Sequence, residues 1–325
     1  MLPDGVNLGA MIYRLFAWLG LMAGLCLPAA GTYAAETKYA GYTLKAAQYW
    51  RIDLPQGQRF DASGLALNRA GQLFTVSDRS SSVWRVSLQT NGTATVTAWP
   101  NCFTALQLAP FAKEKIDRYD IEGIAFDPEG RIFICEESNR WILEFNPGGG
   151  KVTRLPLDWS KASRYFSKDL NSSFEGLATG DGRLYVANER NEARLIVVDL
   201  ATQKVVNDFA PKPRALWFGP LHYSDLSWHK GFLYVLCRHQ QCIIKVDPAS
   251  GKAAAEYGYR SLETAPEHAY FTEYPTGLME GLAVDDENFW LVTDNNGRGR
   301  KADLKDKRPT LFRCARPDAV KKAQP

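Results

Sequence analysis

Five stretches of this chain are variants of one another, and that self-similarity restricts the possible folds more than any other property. They open with SGLAL at Ser63, EGIAF at Glu122, EGLAT at Glu175, DLSWH at Asp225 and EGLAV at Glu280, so the starts lie 59, 53, 50 and 55 residues apart. Each opening leads through a turn into an apolar segment: QLFTVSD, RIFICEE, RLYVANE, FLYVLCR and NFWLVTD. A third segment follows: VWRVSL, RWILEF, RLIVVDL, CIIKVD and TLFRCA. Short β-branched and aromatic runs bounded by turn residues are strands, and Asp127-Pro128-Glu129-Gly130 is a turn by composition, with Pro presetting φ and Gly taking the left-handed position. A fourth strand is visible in the first four copies, as TATVTAW, KVTRLPL, QKVVNDF and KAAAEY. Four antiparallel strands repeated at this period predict an all-β fold, a β-propeller whose blades must stack to bury their faces. The fifth copy ends before a fourth strand, and the N-terminal segment YTLKAAQYWRIDL could fill that slot and close the ring. Five blades are favoured. Six is the alternative, because the long inter-repeat segments could hide a degenerate blade.

The first 34 residues differ from the rest. Arg14 precedes the apolar run LFAWLGLMAGLCL, followed by Pro28 and small residues up to Ala34, the pattern of a secretory signal peptide with either Met1 or Met11 as the start. Cys26 lacks a lipobox before it, and the alternative is an uncleaved anchor. Cleavage would leave residues 35–325 as one propeller domain, periplasmic or secreted, with no stable membrane insertion and a monomeric state expected. The formal net charge of +3 is too mild for a nucleic-acid or membrane partner. Five cysteines remain beyond the leader. Cys237 and Cys242 flank the hairpin loop RHQQ and are either a disulfide or two buried thiols.

Aligning the copies places carboxylates in two columns. Ser63, Glu122, Glu175, Asp225 and Glu280 stand at the start of the innermost strand; Asp78, Glu137, Glu189, Arg238 and Asp294 stand at the end of the second. Successive antiparallel strands bring both columns to the same mouth of the central channel. Acids that close raise one another's pKa unless cations or donors neutralise them, and oxygen-rich sites suit hard cations such as Ca2+. A metal-binding cup is the functional expectation. The structural alternative is that these acids tie the fold, pairing with Arg79, Arg140 and Arg190. Long inter-repeat segments rise on that face with aromatics and bases, among them Lys113, Lys115, Arg118, Trp217, Phe218 and Tyr274. The insertion from Asp294 to Pro309 adds Arg298 and Arg300. The histidines, His222, His229 and His268 included, read as surface or packing residues. No GxSxG, HExxH or Walker sequence is present.

The recurrent EG[IL]A at Glu122, Glu175 and Glu280, NSSFEGLA at 171–178, RLYVANER at 183–190 and WLVTDNN at 290–296 followed by TLFRCA resemble the phytase-like propeller family, described as having esterase-like activity of phytase. The likeness covers roughly residues 120–315 and, more loosely, the first copy. It implies a β-propeller and an acidic active region that falls here on Glu122, Glu137, Glu175, Glu189, Glu280 and Asp294. The DDPAIW-type signature of calcium-dependent propeller phytases is absent. The functional expectation is an exported, Ca2+-dependent hydrolase of a phosphate ester or other ester. Glu122, Glu175 and Glu280 would be catalytic, and Glu137, Glu189, Asp225 and Asp294 would hold metal. Arg118, Arg140, Arg190, Arg298 and Arg300 would hold a small anionic substrate. The alternative is a non-catalytic propeller binding a ligand of the cell envelope.

Overall fold

The repeat folds as antiparallel sheets because each copy alternates side chains toward two neighbours. The computed structural model describes residues 39–53, 57–111, 119–190, 192–214, 219–272 and 277–319. The leader and its two candidate starts lie outside these residues, as do Lys113, Lys115, Arg118, Trp217, Phe218 and Tyr274.

Two strands precede the repeats, β1 (Ala40–Thr43) and β2 (Ala46–Ile52). The first copy gives β3 (Ala62–Leu67), β4 (Leu73–Ser77), β5 (Ser80–Leu88) and β6 (Thr93–Ala98). The second gives β7 (Ile121–Phe126), β8 (Ile132–Glu136), β9 (Trp141–Asn146) and β10 (Lys151–Arg154). The third gives β11 (Phe174–Gly180), β12 (Arg183–Asn188), β13 (Arg194–Asp199) and β14 (Lys204–Phe209). The fourth gives β15 (Tyr223–His229), β16 (Phe232–Cys237), β17 (Cys242–Asp247) and β18 (Lys252–Gly258). The last gives β19 (Met279–Val284), β20 (Asn288–Thr293) and β21 (Thr310–Ala315).

Strands pair in chain order within each copy. Outside the repeats, β2 runs antiparallel to β21 and touches β6 in parallel at Arg51–Thr93 and Ile52–Ala94, while β1 runs parallel to β18. The innermost strands β3, β7, β11, β15 and β19 lie against one another in that order, and β19 lies against β3. The expected turn is present in copy two. Gly130 has φ +83°, and Asp127 Oδ1 accepts the Arg131 N–H at 2.8 Å.

The period of two decides which sheet each side chain serves. On β8, Ile132 and Ile134 join Phe74 and Val76 of the first copy, while Phe133 and Cys135 join Phe174 and Leu177 of the third. On β16, Leu233, Val235 and Cys237 face the third copy, and Tyr234 and Leu236 face the fifth. Every second strand is therefore buried on both faces, and each such side chain contributes about 1.5–3 kcal/mol of transfer free energy. Cys237 and Cys242 are direct cross-strand partners and stand as two buried free thiols rather than as a disulfide.

Candidate functional site

The side chains at the channel mouth are aimed by an irregularity in the innermost strands. Pairing slips by one residue between Ile121 and Gly123, Phe174 and Gly176, Tyr223 and Asp225, and Met279 and Gly281. The residues left unpaired are Glu122, Glu175, Ser224 and Glu280, turned out of the ladder as a β-bulge turns them. The glycine after each glutamate lets neighbouring strands approach. A Cβ on Gly176 would sit 2.5 Å from Asp225 Cα, and one on Gly123 2.9 Å from the Glu175 carbonyl oxygen. The EG pair thus couples an aimed carboxylate to a close backbone approach.

Copy four breaks the pattern, and the bulge explains how. Asp225 pairs with Leu236, the register that glycine holds elsewhere, so Ser224 is the counterpart of the glutamates. Asp225 does not reach the mouth as the sequence alignment implied. It is fully buried, with Oδ2 accepting the N–H groups of Leu65 at 3.1 Å and Leu282 at 2.7 Å, and Oδ1 accepting that of Leu226 at 2.8 Å. Three inner strands are tied through one carboxylate.

The mouth itself is a cavity of about 370 Å³ lined by both columns. Glu122, Glu175, Glu280, Asp78, Glu137, Glu189 and Asp294 are brought together there with Arg238, and Asp120, Arg59, Arg79, Arg190, Asn171 and Asn296 join them. Asp120 belongs to a third column that the sequence reading missed. The backbone N–H groups of Glu137, Glu189 and Arg238 donate to the carbonyls of Asp120 (2.9 Å), Ser173 (2.7 Å) and His222 (3.0 Å). These residues stand two positions before each bulge, so the repeat alignment itself was the signal that could have found them. His222, read from sequence as a packing or surface histidine, is buried with Nε2 at 2.9 Å from Glu189 Oε1.

Of the arginines expected to hold substrate, Arg190 lines the mouth, with Nη1 at 3.0 Å from Glu189 Oε1 and Nε donating to Ser172 Oγ at 2.7 Å. Arg118 lies outside the described residues. Arg140 stacks on Phe166 and donates to the Ser167 carbonyl at 2.7 Å, and Arg298 donates to Thr272 Oγ1 at 2.7 Å; neither lines the cavity. Arg300 is buried and committed to Asp306 (3.0 Å), Tyr270 (2.6 Å) and the carbonyls of His268 and Arg308, so it anchors the basic insertion instead of facing solvent. Arg238 pairs with Glu280 and donates to the Gly277 carbonyl.

Crowding and burial act on the acids together. Burial pushes Glu137 up to about 8 against a hydrogen bond from the Ser173 N–H, and pushes Glu189 up to about 7 against Arg190 and Arg238. Asp294 is pushed up to about 7 by burial and by Asp61. Glu122, Glu175 and Glu280 lie well above the usual carboxylate range, first through burial and then through neighbouring acids. Burial alone would lower Arg238, but Glu280, Glu175, Asp294 and Glu189 raise it. A group of acids held above its normal range is stabilised by a proton or by a cation. Two sets within it bring ligand atoms to within 4.8 Å of one another: Asp120, Glu122 and Glu137, and Glu175, Glu189 and His222.

In fold, the chain is similar to Myxococcus xanthus glutaminyl cyclase, with a TM-score of 0.58 and 14% identity over 87% of this chain and 100% of that one. The PQQ-bound aldose sugar dehydrogenase of Streptomyces coelicolor aligns at a TM-score of 0.44 and 14% identity, over 84% of this chain and 98% of that one. Virginiamycin B lyase of Staphylococcus aureus aligns at 0.41 and 12%, over 83% and 74%. No curated protein matches in sequence. The sheets and the likeness to the glutaminyl cyclase make the fold an all-β propeller type. The family model described as phytase-like, esterase-like activity of phytase, matches residues 59–297, and the chain belongs to that family.

Proposed function

We propose that the channel mouth is the active site of a metal-dependent hydrolase of a phosphate ester or other ester, with Ca2+ held by Asp120, Glu122 and Glu137. The observation that carries this reading is that the three carboxylates converge to within 4.8 Å at the cavity wall. All three donors are oxygens, which favours a hard cation over a softer one. When bound, such an ion would polarise the scissile group and lower the pKa of a water. The protein's own groups divide the remaining work. Arg59, Arg79 and Arg190 line the cavity and offer charge-assisted donors to an anionic substrate that eight acids would otherwise repel. Glu175 faces the same cavity, with its pKa raised by burial first and then by Glu189 and Glu122, so it carries either a proton for a leaving oxygen or a share of a cation. Glu280, fixed by Arg238, leaves Oε2 without a partner among the described residues and faces the same space. Glu189 and Asp294 complete the acidic wall.

The same reading takes residues 35–325 as one five-bladed ring completed by β2, a monomer exported by a cleaved leader. The test is a thermal melt of the chelator-treated protein with and without Ca2+, followed by a phosphoester panel. Binding to the folded state alone stabilises by about 2.7 kcal/mol at a hundredfold excess over Kd. An upshift, with turnover lost in a folded Glu122→Gln protein, is expected. No upshift together with hydrolysis that survives metal removal would overturn it. The ion pairs Arg190–Glu189 and Arg238–Glu280 favour a second reading, a binding propeller of the envelope in which the acids tie the fold. That reading predicts that Glu122→Gln and Glu175→Gln alter only stability or nothing.

A further inference from the structure

We propose that Glu175, Glu189 and His222 form a second cation site in the mouth, one that takes an imidazole-binding metal of the Zn2+ class. The inference goes beyond the Ca2+ reading and stands without it. Its basis is a chain of hydrogen-bond roles that leaves one nitrogen no choice.

The Pro220 carbonyl oxygen can only accept, so the 3.4 Å contact from His239 Nδ1 makes that nitrogen the donor. In the neutral ring its Nε2 then carries a lone pair. That nitrogen lies 3.3 Å from His222 Nδ1, which must therefore supply the hydrogen. In a neutral His222 ring this leaves Nε2 as a bare acceptor. It faces Glu189 Oε1 at 2.9 Å, but outside hydrogen-bond geometry. Oε1 already meets Arg190 Nη1 at 3.0 Å, and Oε2 has no partner among the described residues. Glu189 and His222 are 2% and 1% exposed, so water does not supply the missing partner freely.

Two buried acceptors this close to one another require a proton or a cation beside them. With the Glu175 carboxylate also within 4.8 Å, one nitrogen and two oxygen ligands converge. That is a donor set suited to Zn2+ with an open position, and a poor one for Ca2+. His239 is the outer partner that fixes the tautomer and orientation of the ligating ring. The competing occupant is a proton carried by Glu189 and shared with His222 Nε2 or Glu175.

The test titrates the chelator-stripped protein with Zn2+ against a chromophoric chelator, and with Co2+ by visible absorption. One Zn2+ per chain and a Co2+ ligand-field spectrum are expected. His222→Gln should weaken Zn2+ binding at least a hundredfold and abolish the spectrum. His239→Ala should weaken binding about tenfold or more through loss of the outer partner. Glu129→Gln, on the exposed turn of copy two and outside the cavity, should change it less than threefold. Absence of Zn2+ and Co2+ binding, the bridging-proton outcome, overturns the proposal, as does unchanged affinity in folded His222→Gln. If His222→Gln does not fold by circular dichroism, His239→Ala decides, and unchanged affinity there overturns the proposal. Loss of the Ca2+ upshift with Zn2+ binding intact would strike the hydrolase reading alone, and the reverse result would strike this site alone.

Discussion

Asp225 and Glu122 are both carboxylates on innermost strands, two copies apart, yet their oxygens meet different partners. Asp225 spends its oxygens on three backbone N–H groups drawn from β3, β15 and β19. Glu122 stands on a bulge at the cavity wall, among acids that raise its pKa. The difference teaches how to tell a structural acid from a functional one in a repeat: count the donors it already has. A carboxylate saturated by amides holds strands together, whereas one surrounded by other carboxylates waits for a proton or an ion.

Removing the structural acid should do the most damage. Asp225→Ala leaves three buried N–H groups unpaired at about 1–3 kcal/mol each, so a loss of about 4 kcal/mol is expected by denaturant melt. A loss below about 1 kcal/mol would break the comparison. Gly176→Ala presses a methyl group onto Asp225 Cα, which is backbone and cannot swing away, and should cost about 3 kcal/mol. The functional acids predict a pH dependence of opposite sign to the usual one. Glu137, Glu189 and Asp294, raised to about 8, 7 and 7, hold protons in the folded state that the unfolded chain has released above its ordinary carboxylate pKa near 4.5. Their contribution is full below the unfolded carboxylate range near 4 and is lost progressively until pH passes the folded values of 7 to 8, so metal-free stability should fall by about 3 kcal/mol between about pH 4 and pH 8. Ca2+ or Zn2+ should flatten the slope, since a bound cation replaces the proton. The smallest effect is Glu122→Gln, which removes one repelling charge and should raise metal-free stability at pH 8 by up to about 1 kcal/mol.

The propeller-type fold was legible because strand period and turn chemistry are local, and five copies vote on each position. The meeting of Glu122, Glu137, Glu175, Glu189, Glu280 and Asp294 was legible for the same reason, since antiparallel order fixes which strand ends share a face. Asp225 was misplaced because the copies were aligned on their acids; the bulge falls on Ser224 as it does on Glu122, Glu175 and Glu280, and only the pairing with Leu236 shows that Asp225 stands in the glycine register. Arg300 was misread because its loop folds back, and charge alone does not reveal a guanidinium buried under Tyr270 and Asp306. His222 was discounted as isolated, while its partners Glu189 and His239 are 33 and 17 residues away in the chain.

The tie made by Asp225 also bears on how the inner strands come apart. Its two oxygens accept from amides on β3, β15 and β19 at once, so pulling any one of these strands away leaves a buried carboxylate short of a donor. The first and fifth copies meet through β3 and β19, and the fourth reaches the first through this one side chain. It is a rivet between the early and late parts of the chain, which therefore open together.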